Sequence, residues 1–377
     1  MKSLEELLIV VFICLLTISC TSKSLRSESD VIRINLFQDY QEREIDLNDI
    51  ADIQYISMDV DENYLFKGSP RYLSENLVIF YNTSDGSFLF FTKEGKPKSK
   101  FNHKGGGPGE YPSCSRVLYE EKKDDLFVLT PGKIIIYSSL GDLKRELTLP
   151  ENMTISDIVN FDDKSLLLYD SNDFIVFSKE DGAELKRFKL SSGEKVRLYA
   201  MQEKGESVSI IASIKNHIVR YDDGFLLTDY NTDTVFYCNR DFPITPILVK
   251  DPSIHEMDPV VYLNSFVESG DYLFFRKVTV KVENNKLPSI YLFKDKHNGL
   301  IYEQKIVIQD FEGKQLCIAP ETISKTAHAK QGYIELDFEE LRDAYENNLL
   351  HGQLKELVES LVSKSDANNV YMLITFR

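Results

Sequence analysis

His103-Lys104-Gly105-Gly106-Gly107-Pro108-Gly109-Glu110-Tyr111 places four glycines and one proline in a run from 105 to 109. Such a run extends neither a helix nor a strand, because glycine loses backbone entropy on ordering and proline lacks an N–H donor. It marks a sharp crossing between two ordered regions, and those regions resemble each other. Upstream, Asn76-Leu77-Val78-Ile79-Phe80-Tyr81 is followed by the turn NTSDGS, then Phe88-Leu89-Phe90-Phe91 and Lys93-Glu94-Gly95. Downstream, Asp125-Leu126-Phe127-Val128-Leu129 is followed by TPGK, then Ile134-Ile135-Ile136-Tyr137 and Leu140-Gly141-Asp142.

The same unit recurs at Ser165-Leu166-Leu167-Leu168-Tyr169, at Gly224-Phe225-Leu226-Leu227 and at Asp271-Tyr272-Leu273-Phe274-Phe275, each with a second hydrophobic strand after a polar turn. The anchors Leu77, Leu126, Leu166, Phe225 and Tyr272 recur at intervals of about 40 to 60 residues, and a propeller blade of four short antiparallel strands takes roughly 40 to 50. The closing strand Val370-Tyr371-Met372-Leu373-Ile374-Thr375-Phe376 lies about two periods beyond Tyr272, so the spacing predicts six blades in an all-β chain. A β-sandwich would give no reason for a two-strand unit to recur at this period. The predicted ring closes by pairing Val370–Phe376 with an N-terminal strand, either near Ile32–Leu36 or near Ile53–Met58. Leu354, Leu357, Val358, Leu361 and Val362 share a helical face, as do Phe338, Leu341, Ala344, Tyr345 and Leu349. They predict a helical insertion over about 338–364.

Composition agrees with a globular β protein: 42% hydrophobic and 28% charged, with 20 Tyr, 23 Phe and no Trp. The formal charge of −16 argues against a nucleic-acid footprint, which needs a basic face to displace counterions. Leu7 to Leu16 is apolar but shorter than the roughly 20 residues of a membrane-spanning helix. With Lys2 before it and Ser19-Cys20 after it, the run reads as an export signal over 1–19 with a lipidated Cys20. Residues 20–30 then form a polar tether, and 31–377 a single propeller domain. Cys114, Cys238 and Cys317 remain; their odd number and wide spacing give no disulfide framework and read as buried free thiols.

From about Ile53 to the C-terminus the chain resembles the six-bladed β-propeller lipoproteins of Gram-negative bacteria, which are TolB-like or NHL-like propellers. The resemblance rests on Ile53-Gln54-Tyr55-Ile56-Ser57-Met58, on GGGPGEY, on Asn231-Thr232-Asp233-Thr234-Val235-Phe236-Tyr237 and on Asn368-Asn369-Val370-Tyr371. It implies a propeller fold, export and a surface role in the cell envelope, and carries no catalytic residues with it.

The six histidines form no HExxH or paired HxH motif and read as solvated or capping residues. Asp229-Tyr230-Asn231-Thr232-Asp233 imitates a calcium loop, but Thr234 replaces the required glycine and Arg240 the terminal glutamate. The turn is therefore expected to brace itself through local hydrogen bonds. His103, Lys104, Gly105, Gly106, Gly107, Pro108, Gly109, Glu110 and Tyr111 are the candidate ligand-binding residues, since glycines let backbone amides approach an anionic or hydroxylated ligand. The competing view gives them a purely structural role, in which Glu110 and His103 contribute little to folding.

The expected function is an extracytoplasmic, lipid-anchored binding module of the outer membrane, facing the periplasm or the cell surface. It has no identified catalytic or metal site and no cofactor. Its partner would be a small molecule, a glycan or an envelope protein, and its only membrane contact the N-terminal lipid. One alternative is a calcium-dependent propeller hydrolase or lactonase, which needs several acidic or amide side chains at the axis. Another is a structural subunit of an outer-membrane assembly.

Overall fold

The computed structural model describes residues 31–59, 63–171, 173–191, 193–205, 207–240, 242–318, 330–363 and 369–377. The expected export signal over 1–19, Cys20 and the expected tether over 20–30 lie outside the described residues. Strands β1 (Ile32–Asn35), β2 (Glu42–Asp46) and β3 (Ala51–Ser57) come first, with the single-turn helix α1 (Leu47–Ile50) leading into β3.

Five antiparallel sheets follow. The first is β4 (Pro70–Leu73), β5 (Leu77–Tyr81), β6 (Phe88–Thr92) and β7 (Pro97–Phe101). The second is β8 (Arg116–Glu120), β9 (Asp125–Thr130), β10 (Lys133–Tyr137) and β11 (Leu143–Thr148). The third is β12 (Ile155–Asn160), β13 (Ser165–Asp170), β14 (Asp173–Ser178) and β15 (Glu184–Phe188). A separate hairpin, β16 (Tyr199–Lys204) and β17 (Ser207–Ala212), precedes the fourth sheet of β18 (Ile218–Tyr221), β19 (Gly224–Thr228), β20 (Thr234–Cys238) and β21 (Ile244–Asp251). The fifth is β22 (Val261–Glu268), β23 (Tyr272–Thr279), β24 (Ser289–Asp295) and β25 (Ile301–Val307), with the short β26 (Gln315–Leu316) beside β25. Last come β27 (Gln331–Leu336), helices α2 (Phe338–Glu346) and α3 (Gly352–Val362), and β28 (Val370–Phe376).

The architecture is an all-β propeller with few helices. The first strands stand side by side around the centre, β4 beside β8, β8 beside β12, β12 beside β18 and β18 beside β22. The second strands carry the five sequence anchors, which open or follow short apolar runs because neighbouring sheets cover them there: every residue of β5, LVIFY, is buried. Separate apolar clusters fill the joints. Ile135, Phe127 and Phe90 belong to the core that links the first three sheets, and Phe161, Phe225 and Cys238 to the joint of the third and fourth. A buried ion pair also joins the second sheet to the third. The Lys179 ammonium donates to Glu120 and, at 2.5 Å, to the Asp162 carbonyl.

The expected count of six four-stranded sheets is met by five. The segment β27–β28–β3 has three strands, because the polypeptide between β27 and β28 forms helices there. The expected closure is present. β3 pairs antiparallel with β28, Ser57 opposite Val370 and Ala51 opposite Phe376. Of the two N-terminal candidates, Ile32–Asn35 instead runs parallel to β21, with Ile32 opposite Leu248. β2 does the same on β25.

These pairings manage the sheet edges. The outer strands of the first three sheets, PKSKF, LKRELT and ELKRF, are rich in Lys and Arg, which discourages edge-to-edge association. β21 and β25 each carry a single lysine, and β1 and β2 cover them. The Asp337 carboxylate caps α2 by accepting from the Glu340 N–H. α2 and α3 bury Leu341, Leu354 and Val358 in the cluster that also holds Phe274 of β23 and Met372 of β28.

Candidate functional site

Where the first strands meet, Tyr72 of β4, Arg116 of β8, Asp157 of β12, and Asn216 and Arg220 around β18 line a cavity of about 40 Å³. β12 carries a bulge between Ile155 and Asp157, a device that re-aims a side chain. The Asp157 carboxylate accepts from the His217 N–H at 2.8 Å and the Ile218 N–H at 3.0 Å, stapling the third sheet to the fourth. Its other oxygen accepts from the Ile158 N–H at 3.0 Å. Burial pushes this carboxyl above the ordinary aspartate range, against the pull of Arg116 and the three N–H donors.

His217 is fixed by packing. Its ring stacks on Tyr169 with centroids 3.6 Å apart, and Nδ1 donates to the Thr228 carbonyl at 2.9 Å. Burial lowers its pKa to about 3, so the ring is neutral at physiological pH. The expectation of solvated or capping histidines fails here, because Tyr169 and Tyr230 enclose the ring.

The two guanidinium groups are engaged only lightly. Arg116 donates to the Ser115 carbonyl at 3.1 Å. Arg220 donates to the Asn160 carbonyl at 3.3 Å and lies 5.6 Å from the Phe225 ring centroid. Neither meets a carboxylate within ion-pair distance among the described residues. The metal-assisted alternative asks for several acidic or amide ligands at the axis. Among its lining residues the cavity offers one amide, Asn216, and one carboxylate, Asp157, which accepts from three backbone N–H groups.

The glycine run takes no part in the cavity lining. It joins β7 to β8 and clamps the first two sheets. The Gly105 N–H donates to the Tyr111 carbonyl at 3.0 Å, and the Tyr111 hydroxyl to the Gly86 carbonyl at 2.8 Å. The Tyr137 hydroxyl donates to the Gly109 carbonyl at 2.6 Å, and His103 Nε2 to the Gly141 carbonyl at 2.8 Å. The Glu110 carboxylate turns inward to accept from the Gly107 N–H at 2.8 Å. Lys104 is exposed, as are Gly106 and Pro108.

Only Gly109 within the run has a positive φ, +69°, and a Cβ there would sit 2.9 Å from Leu143. At Gly106 a Cβ meets nothing within 4 Å. Gly109→Val is therefore expected to lower stability by about 1 to 3 kcal/mol, and Gly106→Ala to leave it within about 0.5 kcal/mol. Glu110→Ala, read from sequence as nearly silent, is expected to cost about 1 kcal/mol because it removes that inward hydrogen bond. Thermal unfolding of the three proteins checks the order. Equal melting temperatures would show that the run carries no conformational demand.

The calcium-like turn is held by its own side chains. Asp229 accepts from the Asn231 N–H at 3.0 Å and the Ser191 hydroxyl at 2.7 Å, and the Lys250 ammonium donates to the Thr232 carbonyl at 2.7 Å. Cys238 is buried and Cys114 partly buried; Cys317 is exposed, unlike the buried thiol expected there. A wider groove of about 550 Å³ lies beside α2, and its cation Lys314 is paired with Glu340.

Sequence reasoning missed Arg116, Asp157 and Arg220. Arg220 left one signal, a single charge in the apolar stretch Ile218–Tyr221 before the anchor Phe225, whereas Arg116 and Asp157 stand beside Ser115 and Ser156 and left none.

The family described as "Domain of unknown function (DUF4934)" matches residues 31–375. No curated protein matches the chain. Among solved structures, a candidate exported protein from Bacteroides fragilis is 15% identical with a TM-score of 0.61, over 92% of this chain and 99% of that one. A member of the duf4221 family from Bacteroides vulgatus is 10% identical with a TM-score of 0.47, over 87% and 99%. The first of these is a likeness of fold.

Proposed function

We propose, from the premise that this chain belongs to the DUF4934 family of domains of unknown function, that it is a lipid-anchored, extracytoplasmic six-bladed propeller that binds a ligand at its axis. The observation that carries the binding role is the polar cavity enclosed where the first strands of four sheets converge. Convergence of loops and strands from separate blades is how this architecture builds a site without a catalytic motif. In support of the sixth blade, β27–β28–β3 packs on the fifth sheet through Phe274 and Met372 and on the first through Phe80 and Tyr371. Export is supported by the short apolar run before Ser19-Cys20 and by the likeness to a candidate exported protein. The acidic balance of the chain favours the lipid over the protein surface as its attachment to an anionic membrane.

Two measurements test the parts separately. Radiolabelled palmitate is expected to enter the wild-type protein and not Cys20→Ser; equal labelling of both would remove the anchor. A melting screen of small molecules and short glycans is expected to find a ligand that adds about 2.7 kcal/mol at a hundredfold excess over Kd. Hydrogen exchange should then slow in β4, β8, β12 and β18. Protection confined to the rim would overturn the axial site.

A further inference from the structure

We propose that the axial cavity binds a small oxyanion through Arg116 and Arg220, a class assignment that rests on the axis being the ligand site. The chain as a whole carries −16, yet two of its arginines line one enclosed cavity with a single carboxylate. That carboxylate is spent on three backbone N–H groups of β12 and β18 and pairs with neither guanidinium. A guanidinium has five N–H donors, and each of these two places one on a carbonyl. The others are left for a ligand with several acceptor oxygens.

Arg220 is largely withdrawn from water, and burial depresses its pKa. Burying cations without acids is unfavourable, and an anion between them relieves that cost. Low-dielectric walls also concentrate their field on the cavity.

Size narrows the class further. The cavity is small, about 40 Å³, which suits a compact anion such as phosphate, sulfate or a carboxylate head group. The planar fork of arginine matches such oxygens in pairs.

Titration calorimetry on the full-length chain tests the proposal with inorganic phosphate, sulfate and acetate, with glycerol phosphate and glucuronate as anions carried on larger molecules, and with glucose as a neutral control. At least one oxyanion is expected to bind saturably. Arg116→Gln and Arg220→Gln should each weaken it by about 10- to 100-fold, while Lys133→Gln, on β10 and outside the cavity lining, changes nothing. Arg220→Lys keeps the charge should Arg220→Gln fail to fold, and it too should weaken binding, because the fork is lost. Tightest binding of a free inorganic ion, or of an anion on a larger molecule, supports the proposal and tells the two sources apart. Absence of oxyanion binding, or an affinity unchanged in both arginine variants, overturns it. A neutral ligand that protects β4, β8, β12 and β18 in the same preparations would overturn the oxyanion while leaving the axial site standing.

Discussion

A Tyr371→Ala protein unfolds in urea with a free energy lower than wild type by about 3 to 5 kcal/mol. Tyr371 is 2% exposed on β28. Its ring stands edge-on to Phe80 of the first sheet at 5.5 Å and packs near Tyr333 of β27 at 6.4 Å. Truncation removes a large buried ring and leaves a cavity at the joint where the last sheet meets the first. Backbone pairing between β28 and β3 cannot fill that cavity, because it acts within the sheet and the loss lies between sheets. The chain has no Trp, so unfolding is followed by tyrosine fluorescence together with far-UV circular dichroism. Leu143→Ala, at a side chain 51% exposed on an outer strand, serves as the control and should shift stability by less than about 0.5 kcal/mol. A loss of under about 1 kcal/mol at Tyr371 would mean that this apolar joint does not hold the ring closed.

The second large effect is a pH dependence centred on Lys250. Its side chain is 3% exposed, and burial outweighs the attraction of Asp233 and Asp229, bringing its pKa from 10.5 to about 8. The folded state therefore releases this proton at lower pH than the unfolded state does. Between about pH 8 and 10.5 the unfolded chain binds more protons, so stability rises with pH across that window. Below it both states are charged, and the burial penalty is present in full. The interval corresponds to about 3 kcal/mol. Urea unfolding of wild type and Lys250→Met at pH 7, 8.5 and 10 isolates the group, since the other lysines and the tyrosines titrate in both proteins. Wild type should gain about 2 to 3 kcal/mol relative to the variant on going from pH 7 to 10. Parallel curves would show that the ammonium is solvated.

What could be read from the sequence was set by burial. β5, β9, β13, β19 and β23 are largely covered by neighbouring sheets, so each contains a short apolar run and gives the period. Outer strands face water. β15, ELKRF, has four exposed residues and one partly buried, and from sequence it merges with the charged turn at Lys179–Gly182. β2, EREID, was invisible for the same reason, because it is a strand by virtue of its partner β25 and not of its own pattern. The axial residues were hidden differently. A lone Arg or Asp reads as a turn or an edge until the topology brings Arg116, Asp157 and Arg220 to one cavity. The glycine run stood out because backbone geometry leaves a compositional mark, and a cavity assembled from four distant strands leaves none.

The parallel docking of β1 and β2, and the closure through β3, also impose an order in time. These are the first described strands to be synthesised, and each waits for a partner, β21, β25 or β28, that the ribosome delivers hundreds of residues later. Their pairings are among the least local in the molecule, the kind that slows folding because loop closure must come before any gain. During that delay IRIN and EREID are short and charged, which makes them poor templates for association with other chains. The strands that finish the propeller are thus suited to remaining single while the rest of it is made.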